Sequence, residues 1–258
     1  MRPLRLGVVS YLNAVPLAHG LEGDPAFEVV RDVPSRVAAM LHAGEVDLGT
    51  IPSVEYAMGD YAIVPGVAIG SRGAVRSVCL YHRRPLEEAR RVALDRSSRT
   101  SAALARVLLS ERLGRPLEYV DAPPDLERML AEADAALLIG DPALYQETEV
   151  SRLDLGSEWL ARTGLPFVFA FWAGRPGTAS PGQVARLQAA LRENLGRVRE
   201  IAATYDGSKH AAINESYLRE NVTFGLGTEE QAGLREFYRR AHRLGLIPRE
   251  PALEFFPA

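Results

Sequence analysis

The chain has 258 residues, 47% of them hydrophobic and 24% charged, with a formal net charge of -3. That composition supplies a sizeable core for one large soluble domain or two small ones. It excludes the basic surplus that nucleic acid or an acidic membrane surface would draw on, and leaves a small molecule as the expected partner.

No apolar stretch approaches the roughly 18 residues of a membrane span. The opening "MRPLRLGVVSYL" lacks the long apolar region and small-residue cleavage site of a secretory signal. The single cysteine, Cys79 in "SVCLY", cannot form a disulfide within the chain and reads as a small buried hydrophobe. A reducing, cytoplasmic compartment is the expectation. Sequence leaves the oligomeric state open.

In chain order, "LRLGVV" (Leu4–Val9) predicts a first strand, followed by the polar loop "SYLN" and a second strand "FEVVRDV" at 27–33. In "PSRVAAMLHAG", Ser35 is placed to cap a helix, Val37, Met40 and Leu41 form its apolar face, and Gly44 can close it. Strands "VDLGTI" (46–51) and "AIVPGVAIG" (62–70) follow. The pattern restarts after Pro85 with "RVALD", the helical "SSRTSAALARVLLSERLG", "PLEYV" and "DLERMLAEADAALLIG". Strand-like "FVFAFWAG" (167–174) comes next, and beyond Pro181 the chain turns helical.

Alternating strands and helices predict an α/β fold with mostly parallel sheets. "MLAEADAALLIGDPALY" (129–145) echoes "MLHAGEVDLGTIPSVEY" (40–56), which points to two similar half-structures. Residues 1–80 with 175–258 are expected to form one lobe and residues 81–174 the other. Crossings are expected near 75–85 and 170–176, with the C-terminal helices packed back on the first lobe and a ligand cleft between the lobes.

Ligands in open α/β sheets bind beyond the carboxyl ends of the strands, and four polar segments fall there. They are "SYLN" with Ser10, Tyr11 and Asn13; "TIPSVEY" with Ser53 and Glu55; "GSRGAVRS" with Ser71, Gly73 and Ser77; and "DRSSRTS" with Ser97, Thr100 and Ser101. The last precedes a helix whose free N–H groups suit a carboxylate or phosphate, with Arg99 beside it; ordinary capping by Ser98 or Thr100 fits the same spacing. In "GDPAL", Asp141 reads as a cap with Pro142 at the first helical position. The histidines have no partners at metal-ligand spacing, so no metal is expected. Phosphate loop, dinucleotide fingerprint and nucleophile elbow are missing from the sequence.

The blocks "GVVSYLNAVPL", "GEVDLGTIPSVEY", "GSRGAVRSVCLY", "SRTSAALARVLL", "AALLIGDPAL" and "DLGSEWLARTGLPFVFAFWAGR" together resemble the chorismate dehydratases of the futalosine route to menaquinone. The resemblance covers Leu4 to about Arg175, in order. It implies the two-lobed fold of type II periplasmic binding proteins and a lyase that removes water from chorismate without a cofactor. It further implies that Ser10 and Asn13 orient polar groups of the substrate, and that Asn13 with Ser71 or Ser77 places the reacting groups. Ser53 would add a donor, Ser71 and Gly73 would lie in the hinge-side loop, and Ser97, Thr100 and Ser101 would take a carboxylate. Tyr11 would wall the pocket, and Asp141 would lie with the substrate-binding residues. The similar 1,4-dihydroxy-6-naphthoate synthases carry histidine where this chain has Gly140. A solute-binding protein shares the fold; the effector-binding half of a transcription regulator would also need a DNA-reading helix-turn-helix, whereas this chain begins on a strand.

Overall fold

A computed structural model of the chain describes residues 2–257. In chain order its strands are β1 (Leu4–Val9), β2 (Phe27–Asp32), β3 (Leu48–Pro52), β4 (Ala62–Ser71), β5 (Val78–His82), β6 (Arg91–Asp95), β7 (Glu118–Ala122), β8 (Ala135–Ile139), β9 (Ser151–Asp154) and β10 (Phe167–Gly174). The helices are α1 (Val15–Ala18), α2 (Pro34–Ala43), α3 (Thr100–Leu113), α4 (Leu126–Glu132), α5 (Gly140–Leu144), α6 (Leu155–Thr163), α7 (Pro181–Leu195), α8 (Val198–Thr204), α9 (Ala211–Ser216) and α10 (Thr228–Arg243).

Two five-stranded sheets share one plan. The first runs β2-β1-β3-β10-β4 and the second β7-β6-β8-β5-β9. In the first, β1 is parallel to β2 and β3, and β10 lies antiparallel between β3 and β4. In the second, β6 is parallel to β7 and β8, and β5 lies antiparallel between β8 and β9. The echo read in the sequence maps onto equivalent places: α2 leads into β3 as α4 leads into β8. Both strands are buried along their whole length, each pairing parallel on one side and antiparallel on the other, so the sheets are mixed rather than mostly parallel as expected.

Sheet membership puts β5 with the second sheet and β10 with the first. We therefore propose to draw the lobe crossings through the segments leading into these strands: the first overlaps the expected 75–85, the second precedes the expected 170–176, and the lobe boundaries shift from 80/81 and 174/175 accordingly. The C-terminal helices also depart from the expectation. α7 does sit on the first lobe, where Asn194 Nδ2 donates to the carbonyls of Pro16 (3.1 Å) and His19 (2.9 Å). The later helices reach both lobes, because Tyr145 at the end of α5 donates to Asn214 Oδ1 at 2.7 Å and α10 packs on β10 and α3.

Local signals explain the helix ends. α2 starts on Pro34, whose fixed φ suits the first helical position, and stops at Gly44 with φ 74°. Ser35 was the expected cap; the capping position is Val33, and no side chain caps this helix, because the proline moves the start back. α7 carries the capping box of Ser180 with Gln183. Among the described residues no helix is long and apolar enough to cross a membrane.

Candidate functional site

The carboxyl ends of β1, β3, β6 and β8 converge on a cleft between the sheets, where an open α/β fold places its ligands. Tyr11 and Asn13 line it from beyond β1, Pro52 from β3, Ser98 to Ser101 from the start of α3, and Gly140 from the end of β8. Ser77 comes from the crossing into β5, and Val9, Ile69 and Phe169 give apolar wall. The space in it open to water is about 50 Å3. A larger depression of about 830 Å3, lined by Arg84, Glu87, Arg90 and Asp134, lies on the outer surface of the second lobe, away from these strand ends.

Of the residues expected at a site, Tyr11, Asn13, Ser77, Thr100 and Ser101 border this cleft. The others stand behind it or at its rim. Ser53 is fully buried and its hydroxyl donates to the Val168 carbonyl at 2.8 Å, so its hydrogen is unavailable to a ligand. The Ser97 hydroxyl donates to Asp95 Oδ1 at 2.7 Å, and it is Ser98 that borders the cleft. Ser71 is buried at the end of β4, its Oγ without a partner and close against Gly156, while Gly73 takes φ 118° in the loop beyond. Ser10 is exposed, and its carbonyl accepts from Tyr205 at 3.2 Å.

Helix α3 starts without a side-chain cap: its capping position is Arg99, so neither Ser98 nor Thr100 plays the capping role open to it in the sequence. The Thr100 hydroxyl instead accepts from the Val54 N–H at 3.0 Å, across the lobes. The first N–H groups of a 14-residue helix are thereby left facing the cleft among buried Thr100 and Ser101, which favours an anionic group. Arg99 is held from the other lobe by Glu55 (3.0 Å), whose second oxygen meets His42 Nε2 at 2.7 Å. His42 Nδ1 in turn meets the Tyr61 hydroxyl at 2.7 Å.

Tyr11 is fixed by a second chain. Its hydroxyl lies 3.2 Å from Ser97 Oγ, and because the Ser97 hydrogen is spent on Asp95, Tyr11 is the donor in that pair. Burial pushes the Asp95 carboxyl and the Tyr11 phenol up from their ordinary values. Gly140 packs under the Tyr11 ring: it has φ 61°, and a Cβ there would sit 2.4 Å from Tyr11 Cδ2. Histidine at this position would displace the wall of the cleft.

Asp141 does not cap α5, which begins at Gly140 with no side-chain cap. Its carboxylate is drawn across the lobes instead, accepting from the Leu12 N–H at 3.1 Å and from the Tyr205 hydroxyl. Burial pushes this carboxyl up. The residues missed in the sequence are the apolar wall, Ser98, and Tyr217, whose hydroxyl lies 2.7 Å from Ser77 Oγ. Nothing in the local pattern around Tyr217 marks it. Among the described residues no cluster of three or more His, Cys, Asp or Glu side chains is arranged to hold a metal.

A family model described as menaquinone biosynthesis matches residues 4–243. A chorismate dehydratase of Thermus thermophilus is 35% identical over 271 residues, covering 95% of this chain and 97% of its own. One from Campylobacter jejuni is 27% identical, with 92% of each chain covered. Among solved structures, an Archaeoglobus fulgidus protein superposes with a TM-score of 0.73 at 19% identity, covering 95% of this chain and 99% of its own. A Candida albicans protein with the generic periplasmic binding protein fold gives 0.61 at 11% identity, covering 97% and 92%. The two-lobed architecture is thus that of the periplasmic binding proteins.

Proposed function

Because the chain belongs to the menaquinone biosynthesis family, we propose that it is a hydro-lyase that removes water from chorismate and releases 3-(1-carboxyvinyloxy)benzoate. The observation that carries this reading is the uncapped start of α3, set in a cleft with apolar walls and facing Asn13, whose buried Oδ1 has no protein partner. A ring with a carboxylate at one end and a hydroxyl at the other matches these features.

The ring carboxylate takes the N–H groups at the start of α3. The hydrogen to be lost, on the carbon bearing the enolpyruvyl ether, is conjugated through the ring double bond to that carboxylate, so its removal builds negative charge at the helix end, where fixed donors stabilise it. The electron pair left on carbon then expels the neighbouring hydroxyl, and the ring becomes aromatic. The substrate's own enolpyruvyl carboxylate accepts the proton and passes it to the departing hydroxide, so that water leaves and atoms balance. Asn13 and Ser77 orient the reacting groups, and the walls exclude bulk water. The reaction calls on no further cofactor. We place it in the cytoplasm, where the composition and lone cysteine fit.

Chorismate with its enolpyruvyl carboxylate masked as the methyl ester tests this assignment of the base. The masked compound should bind and stay intact while chorismate is consumed. Consumption of both at similar rates would overturn it.

A further inference from the structure

The segment between β4 and β5 carries the chain from the first sheet to the second and ends on Ser77 at the cleft. Within it Arg76 takes φ 61°. A residue with a Cβ keeps this left-handed conformation only where its surroundings hold it there, and such positions gather at functional sites. The dihedrals of Arg76 set the direction in which the chain continues to Ser77.

The group that holds the N–H side of this segment is a carboxylate from the second lobe. Asp154 caps α6, its Oδ1 accepting from the Ser157 N–H at 3.0 Å. The same oxygen accepts from the Val75 N–H at 3.1 Å, and Oδ2 accepts from the Arg76 N–H at 2.7 Å, although 78 residues separate Asp154 from Arg76. The start of α6 lies so near that a Cβ on Gly156 would sit 2.4 Å from the Gly73 carbonyl oxygen. On its other side the Arg76 guanidinium donates to Ser216 Oγ at 3.2 Å. Ser77 follows in a tight turn, its N–H donating to the Val75 carbonyl at 2.7 Å and its carbonyl accepting from the Gly140 N–H at 2.8 Å.

We propose that Asp154 is a positioning residue: by binding the Val75 and Arg76 N–H groups it keeps Arg76 left-handed and so presents Ser77 to the cleft. This rests on the dehydratase reading, in which Ser77 orients the reacting groups. Both carboxylate oxygens are needed, because three N–H groups share them. An asparagine offers one oxygen, which serves Val75 and Ser157 from the Oδ1 place and sets its amide nitrogen against the Arg76 N–H. Arg76 then relaxes and turns Ser77 away.

The test measures kcat and KM on chorismate. Asp154→Asn should lower kcat about 10-fold with KM changed much less. Adding Arg76→Gly to it should restore most of that loss, since glycine takes this conformation freely. Adding Arg76→Ala instead, which sheds the same guanidinium but keeps a Cβ, should not. An unchanged kcat in Asp154→Asn, as expected if the carboxylate only caps α6, would overturn the proposal, and so would equal kcat in the two double variants. Should Asp154→Asn not fold, a pair with Asp154 intact decides: Arg76→Gly should turn over about 10-fold faster than Arg76→Val, whose branched Cβ resists a positive φ most, and equal rates would overturn the proposal. If the unaltered protein leaves chorismate intact, the dehydratase reading fails. Crystal structures of the parent and of Asp154→Asn or Arg76→Val then still read the place of Ser77: a shifted Ser77 upholds the positioning role, and an unmoved one overturns it.

Discussion

Asn13 presents a buried Oδ1 that no protein group satisfies, an arrangement that costs a folded chain on the order of 1–3 kcal/mol. A ligand hydroxyl in the cleft would recover that cost, and an amide orients a leaving group without taking its proton. Replacing Asn13 with Ala should lower kcat about 100-fold with a smaller change in KM; steady-state kinetics on chorismate check it, and an unchanged kcat would remove Asn13 from the reaction. Gly140 makes a different prediction. Gly140→His sets a side chain on a backbone at φ 61° against the Tyr11 ring, so both the melting temperature and turnover should fall. A variant as stable and active as the parent would mean that Tyr11 moves aside freely. At this scale the sequence was partly legible. Residues facing the cleft and residues turned away sit side by side in the same loops, as Ser97 and Ser98 do, and no period governs a loop beyond a strand end. Ser53 shows the same ambiguity: its hydroxyl is drawn into the body of the lobe by the Val168 carbonyl, which arrives from β10, far along the chain.

Strands and helices were more legible than side-chain directions, because burial imposes a period on them. Leu4–Val9 and Phe167–Gly174 are strands as expected, and Gly44 ends α2 in the left-handed conformation. Helix starts were less so, since the caps expected of Ser35 and Asp141 give way to Pro34 in one case and to a cross-lobe bond in the other. The start of α3 carries a prediction of its own: Thr100→Val keeps the shape but loses the acceptor for the Val54 N–H. Chorismate affinity should fall about 10-fold, the equivalent of one lost hydrogen bond of roughly 1.4 kcal/mol, and calorimetry measures it; unaltered affinity would contradict a binding role for this helix start. Elsewhere, β1 is tied to the segment before β3 by Asp47, which accepts from Arg2 (2.8 Å) and Arg5 (2.9 Å). Although burial alone would raise it, these arginines hold the Asp47 carboxyl well below the ordinary carboxylate range. A depressed carboxyl gives stability that is fully present above its unfolded value and is lost as the pH falls through the folded one. The melting-temperature gap between the parent and Asp47→Asn should therefore be full at pH 7 and shrink as the pH drops below about 4. A gap that is constant with pH would sink this account of the anchor.

At the scale of the whole molecule, the cleft is crossed by bonds that join the lobes. Asp141 accepts from Leu12 and Tyr205, Arg99 meets Glu55, and Thr100 meets Val54. Where these bonds cross it, the cleft is narrow, with about 50 Å3 of water-accessible space. The duplicated sheet plan was visible in outline from the Met-Leu to Tyr echo, whereas the contacts that join the lobes were not. They pair residues remote in sequence, and nothing local marks Tyr205 or Tyr217 as their partners. The most direct test of the dehydratase reading is to mix the purified protein with chorismate and follow the ring protons by NMR. The account predicts that the diene signals of chorismate disappear as those of 3-(1-carboxyvinyloxy)benzoate grow, with no added cofactor. Saturable binding of chorismate with its signals intact would contradict it and leave a solute-binding protein of the same fold.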